Sequence, residues 1–317
     1  MDEGFISSQV LVTGASGFVG KALTHYLTNQ GYQVTAVSRH PQEGTRFNSS
    51  QVRKYEDSAR FMTPRSCVVH LAARVHVLSD RAHDPLSAFR AANVDVTLKL
   101  ARQAADAGVR RFIFLSSIKV NGEETAPGHP FRADGEYAPQ DAYAVSKMEA
   151  ELGLRNIAAK TGMEVVIIRP PLVYGPGVRA NFAALMGAVA RGWPLPFGAV
   201  DNRRSLIALD NLLDFIRVCI AHPAAANRTY VVSDGDDLST PELIRRMARV
   251  IGKSPRLISI PLWILKTGAV LPGQRQKLQR LCGSLQIDIS EARESLEWRP
   301  PVGVDESLRR IAAALHL

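Results

Sequence analysis

Residues 10–20 read Val10-Leu11-Val12-Thr13-Gly14-Ala15-Ser16-Gly17-Phe18-Val19-Gly20. The apolar start is typical of a buried strand, and residues 21–27 have helical spacing. A strand, a glycine-rich turn and a helix in this order form a site for a dinucleotide, because glycine lets the backbone approach the pyrophosphate and the helix N-terminus faces it. We therefore expect this turn to supply the cofactor-binding residues Gly14, Ser16, Gly17, Phe18, Val19 and Gly20.

The end of the second predicted strand, residues 32–37, indicates which cofactor binds. NAD-binding domains usually have Asp or Glu about 20 residues after the glycines, where the carboxylate binds the ribose hydroxyls. This chain has Ser38-Arg39-His40 instead, and Arg39 would pair with a 2′-phosphate. We expect NADP(H) rather than NAD(H), with NAD(H) and a merely solvated Arg39 as the alternatives. Asp57 could reach the adenine edge.

Further strands at 67–73, 111–117 and 164–169 alternate with helices at 84–108 and 142–161. This alternation predicts an α/β fold, a Rossmann-type doubly wound parallel sheet with a smaller C-terminal substrate-binding region. The expected NAD(P)-binding Rossmann domain covers 1–169, with 205–232 returning to it. The substrate-binding region covers 170–204 and 233–317.

Two other stretches of the predicted Rossmann domain are candidates for cofactor contact. The strand at 67–73 ends in the small or apolar residues Leu71, Ala72 and Ala73, which suit the close approach of a ligand. Asn93 is a further candidate. Its amide is either an internal polar brace or a group at the edge of the core.

Bulk composition excludes several classes of protein. The formal net charge of +9 suits anionic small molecules, and the absence of a Lys/Arg run with interleaved aromatic residues argues against nucleic acid. Three widely spaced cysteines form neither a metal site nor a disulfide framework, which fits a reducing cytoplasm, and we see no signal peptide.

The apolar stretch 257–272 is too short for a membrane span. It is read as a helix packed on the protein, with a membrane-surface helix or a partner contact as alternatives.

The sequence Tyr143-Ala144-Val145-Ser146-Lys147 lies just inside a helix that Asp141 can cap. Positions four apart share a helix face, so the Tyr143 phenol and the Lys147 ammonium should be neighbours. We expect that cation to lower the pKa of Tyr143 towards neutrality, which would make it an acid/base group. Ser116 and Ser117 end the preceding strand, and one of these hydroxyls could hold a substrate oxygen.

Four motifs resemble those of the extended short-chain dehydrogenase/reductases, and are most similar to the nucleotide-sugar epimerase/dehydratase group. They are residues 13–20, Ser116-Ser117-Ile118-Lys119-Val120-Asn121-Gly122, residues 143–147 and Arg169-Pro170-Pro171-Leu172-Val173-Tyr174-Gly175-Pro176-Gly177. The resemblance implies a catalytic set of Ser117, Tyr143 and Lys147, with Pro170 beside the cofactor and no metal. It also implies a UDP-sugar held by Ser116, Ser117, Tyr143, Asn181, Arg204 and Arg280, and a homodimer formed through the helices at 84–108 and 141–161.

The chain departs from the group's epimerases at the end of the second strand, where they carry an acidic residue that keeps NAD bound. A reductase must release its oxidised cofactor, and NADPH is the usual cellular reductant. The leading hypothesis is therefore NADPH-dependent reduction of a 4-keto UDP-sugar, similar to steps that make surface polysaccharide. A UDP-hexose 4-epimerase and a non-catalytic, cofactor-sensing module are the alternatives. A dehydratase is disfavoured because Ser117-Ile118-Lys119 offers no carboxylate.

Overall fold

The structure is a computed structural model that describes residues 9–39, 46–47, 50–75, 84–178, 181–268 and 274–317. His40 and the other residues between these ranges lie outside the described part of the chain. The strands are β1 (Gln9–Thr13), β2 (Gln33–Ser38), β3 (Arg46–Phe47), β4 (Ser50–Lys54), β5 (Ser66–His70), β6 (Arg111–Leu115), β7 (Glu164–Arg169), β8 (Leu172–Tyr174), β9 (Leu206–Ala208) and β10 (Thr229–Val231).

The main sheet has the strand order β10-β7-β6-β5-β1-β2-β4-β3. Its strands pair in parallel, except that the short β3 runs antiparallel to β4. The chain order reverses between β1 and β5, so a crevice opens at the carboxyl ends of these two strands, where ligands bind in such sheets. The predicted α/β doubly wound parallel sheet is confirmed. Strands β8 and β9 form a separate parallel pair.

Helices cover both faces of the sheet and build the C-terminal part. They are α1 (Phe18–Asn29), α2 (Pro85–Phe89), α3 (Val96–Asp106), α4 (Ala142–Thr161), α5 (Asn181–Ala190), α6 (Leu209–Ala221), α7 (Thr240–Ile251), α8 (Leu262–Gly268), α9 (Gln274–Cys282), α10 (Ser290–Leu296) and α11 (Val304–Ala314). Among the described residues, no helix combines the length and the apolarity needed to cross a bilayer.

The predicted helix at 84–108 is not one regular α-helix. A turn of π-helix, Arg90–Asp95, separates α2 from α3 and places Asn93 on the buried side. Such turns are often found at functional sites. In this chain the π-turn directs the Asn93 amide towards the end of β5 and towards α4, as described below.

Two apolar cores flank the site. One packs α1 and α6 against the sheet, and the other joins α5, α7 and α11 in the C-terminal part. Phe18, the first residue of α1, is partly buried against both cores. The glycine-rich turn is therefore anchored where the two parts of the molecule meet.

Candidate active site

The turn after β1 is built so that only glycine fits at two of its positions. Gly14 has φ +70°, and a Cβ there would lie 2.7 Å from the backbone nitrogen of Ala72. A Cβ at Gly20 would lie 2.1 Å from the carbonyl oxygen of Gly14. The Gly17 N–H donates to that same carbonyl at 2.9 Å. These contacts pack the turn tightly against the end of β5 and the start of α1, and the N-terminus of α1 next to them fits the pyrophosphate of a dinucleotide. Ser16 and Val19 also belong to this segment.

The end of β2 is tied to this turn through two hydroxyl groups. Ser38 is buried, and its Oγ lies 3.0 Å from the Oγ of Ser16. The next residue, Arg39, is exposed. Asp57, on the neighbouring 3₁₀ turn, forms an ion pair with Arg60 at 3.4 Å. The predicted cofactor-selecting residues therefore lie beside the glycine turn, with a guanidinium rather than a carboxylate at the end of the strand.

Asn93 braces the segment that follows β5. Its Oδ1 accepts from the Arg74 backbone N–H at 2.7 Å, and its Nδ2 donates to the Arg74 carbonyl at 3.1 Å and to Ser146 Oγ at 3.0 Å. The geometry thus favours the brace over the core-edge amide. Through Arg74, Asn93 fixes the adjoining residues Leu71, Ala72 and Ala73, and the Leu71 N–H donates to the Thr13 carbonyl at 3.3 Å.

Helix α4 starts beside the end of β6. The Asp141 carboxylate accepts from the Ala144 N–H at 2.7 Å and caps the helix, as predicted. This places Tyr143 in the first turn, where its hydroxyl hydrogen-bonds the Ser117 hydroxyl. Ser117 follows β6, and its Oγ accepts from the Lys119 N–H at 3.3 Å. The structure thus brings together the phenol and the serine that sequence reasoning singled out.

The expectation about acidity is wrong for this structure. Burial raises the pKa of Tyr143 to about 12, although the hydrogen bond from Ser117 opposes the rise. Lys147 does not act as the expected neighbouring cation, because its Nζ donates to the Leu115 carbonyl at 2.7 Å and lies 4.3 Å from the centre of the Phe114 ring. Burial also lowers the pKa of Lys147 itself to about 7, against the opposing charge of Glu151.

Ser116 lies behind the site instead of facing it. It is buried, and its Oγ donates to Glu151 Oε1 at 2.5 Å. Glu151 in turn pairs with Arg169 at 2.6 Å and accepts from the Tyr137 hydroxyl at 2.9 Å. This placement corrects the expectation that Ser116 contacts a substrate, because its hydroxyl is engaged by a buried carboxylate.

Sequence reasoning missed Glu151 and Arg169 as parts of the site's support. Glu151 is one helical turn after Lys147, and Arg169 is the last residue of β7. Both residues therefore lie in elements that the sequence predicted. Their pairing depends on how α4 packs on the sheet. Beyond Arg169, the buried Pro170 accepts the Ile118 N–H at 3.0 Å, which joins the end of β7 to the segment after Ser117.

The other three predicted substrate-binding residues, Asn181, Arg204 and Arg280, lie on the C-terminal part of the chain. Asn181 is the exposed first residue of α5. Arg204 Nη1 donates to the Gly283 carbonyl at 2.8 Å. Burial lowers the pKa of Arg204, and the positive charge of Arg280 adds to the lowering against an opposing effect of Glu124. Arg204 and Arg280 are therefore close enough to interact electrostatically, an arrangement suited to a doubly charged anion.

Comparison with known proteins agrees with this geometry. A model of the "NAD dependent epimerase/dehydratase family" matches residues 10–233. A "UDP-glucose 4-epimerase" of Vibrio cholerae is 45% identical, over 96% of this chain and 94% of that protein. A "GDP-6-deoxy-D-mannose reductase" of Pseudomonas aeruginosa is 25% identical over 96% of each chain.

A solved structure shows the same fold. The UDP-glucose 4-epimerase of Thermotoga maritima with UDP-glucose superposes with a TM-score of 0.75 at 22% identity, over 97% of this chain and 98% of that one. The chain therefore belongs to the NAD dependent epimerase/dehydratase family, which confirms the resemblance to the extended short-chain dehydrogenase/reductases and the prediction of an NAD(P)-dependent enzyme.

Proposed function

We propose that the protein reduces the C4 keto group of a UDP-sugar with NADPH, and that Tyr143 supplies the proton. The observation that carries the proposal is the end of β2. There Ser38 is hydrogen-bonded to Ser16 of the glycine turn, and the exposed Arg39 follows it. A guanidinium in this place would bind a 2′-phosphate, and a carboxylate would repel it.

The reduction divides into a hydride step and a proton step. The glycine turn and the end of β2 would hold NADPH, which would supply the hydride to the carbonyl carbon and leave as NADP⁺. The hydroxyls of Ser117 and Tyr143, which hydrogen-bond each other, would hold the carbonyl oxygen between them. As that oxygen gains negative charge, the Tyr143 proton passes to it, and the phenolate that remains is reprotonated from water.

The high pKa of Tyr143, about 12, suits a proton donor, because the phenol enters each cycle protonated. Lys147 has its Nζ on the Leu115 carbonyl at the end of β6. In the proposal it binds the cofactor ribose from there.

The C-terminal part would hold the rest of the substrate. Arg204 and Arg280 would bind the diphosphate, and Asn181 the sugar. In this proposal residues 1–169, with 205–232, form the cofactor domain. The pairing of β10 with β7 in the main sheet supports the return of the chain to this domain. Strand β9, which also lies within 205–232, pairs instead with β8 outside that sheet. Residues 170–204 and 233–317 form the substrate region.

Assembly and location complete the proposal. A homodimer would form through α3 and α4, which pack closely where Leu98 lies against Gly153. Sedimentation velocity tests it, with a monomer as the contrary result. We place the protein in the cytoplasm, because Cys67, Cys219 and Cys282 are all buried free thiols.

A UDP-hexose 4-epimerase is the second candidate, favoured by the 45% identity to the Vibrio cholerae protein along nearly its whole length. Such an enzyme oxidises and re-reduces the same carbon, so it retains its cofactor and consumes none. It would copurify with bound NAD(H) or NADP(H). A sensing module would bind cofactor but turn over nothing.

The experiment that decides among them uses two sets of substrates. The purified protein is incubated with NADPH or NADH and a panel of UDP-4-keto sugars, following the loss of reduced-cofactor absorbance and the C4 configuration of the product by NMR. It is also incubated with UDP-glucose, UDP-N-acetylglucosamine and their C4 epimers without added cofactor. The proposal requires stoichiometric NADPH oxidation with a keto sugar. Interconversion of the hexoses without net oxidation would establish the epimerase.

A further inference from the structure

We infer that the surface formed by residues 191–198 and 253–264 docks on an anionic lipid bilayer. This surface, called here the basic-aromatic patch, is at the far end of α5 from Asn181. The inference concerns where the enzyme works and does not depend on which reaction it catalyses.

The backbones of the two segments pair where residues 195–198 meet residues 256–258. The Leu195 N–H donates to the Arg256 carbonyl at 2.8 Å, the Ile258 N–H donates to the Leu195 carbonyl at 2.9 Å, and the Gly198 N–H donates to the Ile258 carbonyl at 2.9 Å. This ladder fixes the segments side by side. Leu195 is buried against the C-terminal core, so the patch is attached to a rigid support.

Large apolar side chains project from this support into solvent. The exposed fractions are 57% for Trp193, 49% for Ile258, 68% for Trp263 and 40% for Ile264. Trp263 and Ile264 are consecutive residues in the first turn of α8. Exposed clusters of this kind mark interaction surfaces, and Trp is enriched where a protein meets the headgroup level of a membrane.

Charge favours a bilayer over a second copy of the chain or a basic protein. Residues 253–264 contain Lys253 and Arg256 and no Asp or Glu, and residues 191–198 add Arg191 without any carboxylate. Arg191, Lys253 and Arg256 are exposed, and the Arg191 guanidinium lies 5.4 Å from the centre of the Trp193 ring. Aromatic and aliphatic groups surrounded by cations match an anionic headgroup layer over an apolar interior. A symmetric self-contact would place cations against cations.

Vesicle binding by the full chain tests the inference. The probes are vesicles of phosphatidylglycerol with phosphatidylethanolamine, compared with pure phosphatidylcholine. We expect co-sedimentation with the anionic vesicles only, weakened by added salt because the cations are screened. Trp193 and Trp263 emission should shift to the blue and be quenched by brominated lipids, whereas the buried Trp298 serves as an internal reference.

Variants show which surface binds. We expect two double variants to lower the partition coefficient at least tenfold. One combines Trp193→Ser with Trp263→Ser, and the other combines Arg191→Glu with Arg256→Glu. Leu317→Ser and Lys160→Glu, which change an exposed apolar residue and an exposed cation elsewhere, should lie within twofold of wild type. Lipid quenching in the unmodified protein remains informative if a variant fails to fold.

Three results would overturn the inference. They are no binding to anionic vesicles at low salt, equal binding by the patch variants and wild type, and a patch variant that converts an oligomer into a monomer. The last result would assign the patch to a second copy of the chain.

Discussion

The Arg169 guanidinium forms a two-pronged ion pair with the Glu151 carboxylate, at 2.6 Å, with both side chains almost completely excluded from solvent. The pair joins the end of β7 to α4, and the Ser116 hydroxyl, adjacent to Ser117, donates to the same carboxylate. With Lys147 bound to the Leu115 carbonyl, α4 therefore holds the end of β6 at two successive residues. We regard Glu151 as a positioning residue.

Replacing one member of this pair should destabilise the protein strongly. Glu151→Leu leaves a buried guanidinium without its counter-charge, and we expect a loss of about 3–5 kcal/mol in the free energy of unfolding. The double variant Glu151→Leu with Arg169→Met should lose less than Glu151→Leu alone, because neither charge remains. Urea unfolding of the wild type, Glu151→Leu, Arg169→Met and the double variant measures these losses. A double variant as unstable as the sum of the two single changes would contradict the coupling.

The glycine turn gives a steric prediction. Gly20→Ala places a methyl group 2.1 Å from the Gly14 carbonyl oxygen, so the turn must move. We expect a destabilisation at the upper end of the about 1–3 kcal/mol typical of overpacking, together with weaker cofactor binding. Gly187→Ala is the matched control, since its Cβ would meet nothing closer than 3.5 Å, at the end of the Arg191 side chain. It lies within α5, where alanine should stabilise by about 0.4–1 kcal/mol. Thermal unfolding and a fluorescence titration with NADPH check both.

The pKa of Lys147 predicts how stability depends on pH. Because burial lowers that pKa from 10.5 to about 7, the unfolded chain holds a proton between these values that the native Lys147 has released. The contribution of Lys147 to stability therefore rises with pH across this window and is least favourable below pH 7. The difference in unfolding free energy between wild type and Lys147→Met isolates this group, since other titrating residues cancel. The unfolding free energy of the wild type should rise relative to that of Lys147→Met between pH 7 and pH 10. A difference that does not depend on pH would refute the assignment.

Local patterns in the sequence were enough to predict the framework of the site. The glycine turn, the capped start of α4 and the strand ending at Ser117 each depend on a few neighbouring residues. The resemblance to a family was needed to single out Arg204 together with Arg280, because nothing local links residues so far apart in the chain.

What the sequence could not predict depends on burial and on how distant elements pack. The ion pair between Glu151 and Arg169 requires α4 to lie across the end of β7. The reversed expectation for Tyr143 has the same origin. The spacing of Tyr143 and Lys147 predicted a shared helix face, but not the removal of water that raises the pKa of Tyr143 and lowers the pKa of Lys147. The π-turn that makes Asn93 a brace is similarly a tertiary feature.

Cofactor preference should depend on Arg39. Arg39→Glu replaces a cation that would bind the 2′-phosphate with an anion that repels it, so kcat/KM for NADPH should fall by about 10- to 100-fold. The value for NADH should stay equal or rise, because a carboxylate can accept from the ribose hydroxyls. Lys160→Glu makes the same change of charge at a distant exposed site, and it controls for a general electrostatic effect. Tighter binding of NADH than NADPH by the wild type would remove the role given to Arg39.

The roles of Tyr143 and Ser117 can be separated by kinetics. Tyr143→Phe removes the proton donor but keeps the ring, which lies edge-on to Phe89 at 6.1 Å. We expect kcat for the keto-sugar reduction to fall by about 10²- to 10⁴-fold, while the Kd of NADPH changes little. Ser117→Ala removes only the hydroxyl that hydrogen-bonds the phenol and should cost about 10- to 100-fold in kcat. Because each group would act through the same carbonyl oxygen, the double variant should lose less than the product of the two single losses. Steady-state rates and a fluorescence titration for the three variants supply the comparison, and full turnover by Tyr143→Phe would remove the role given to Tyr143 as proton donor.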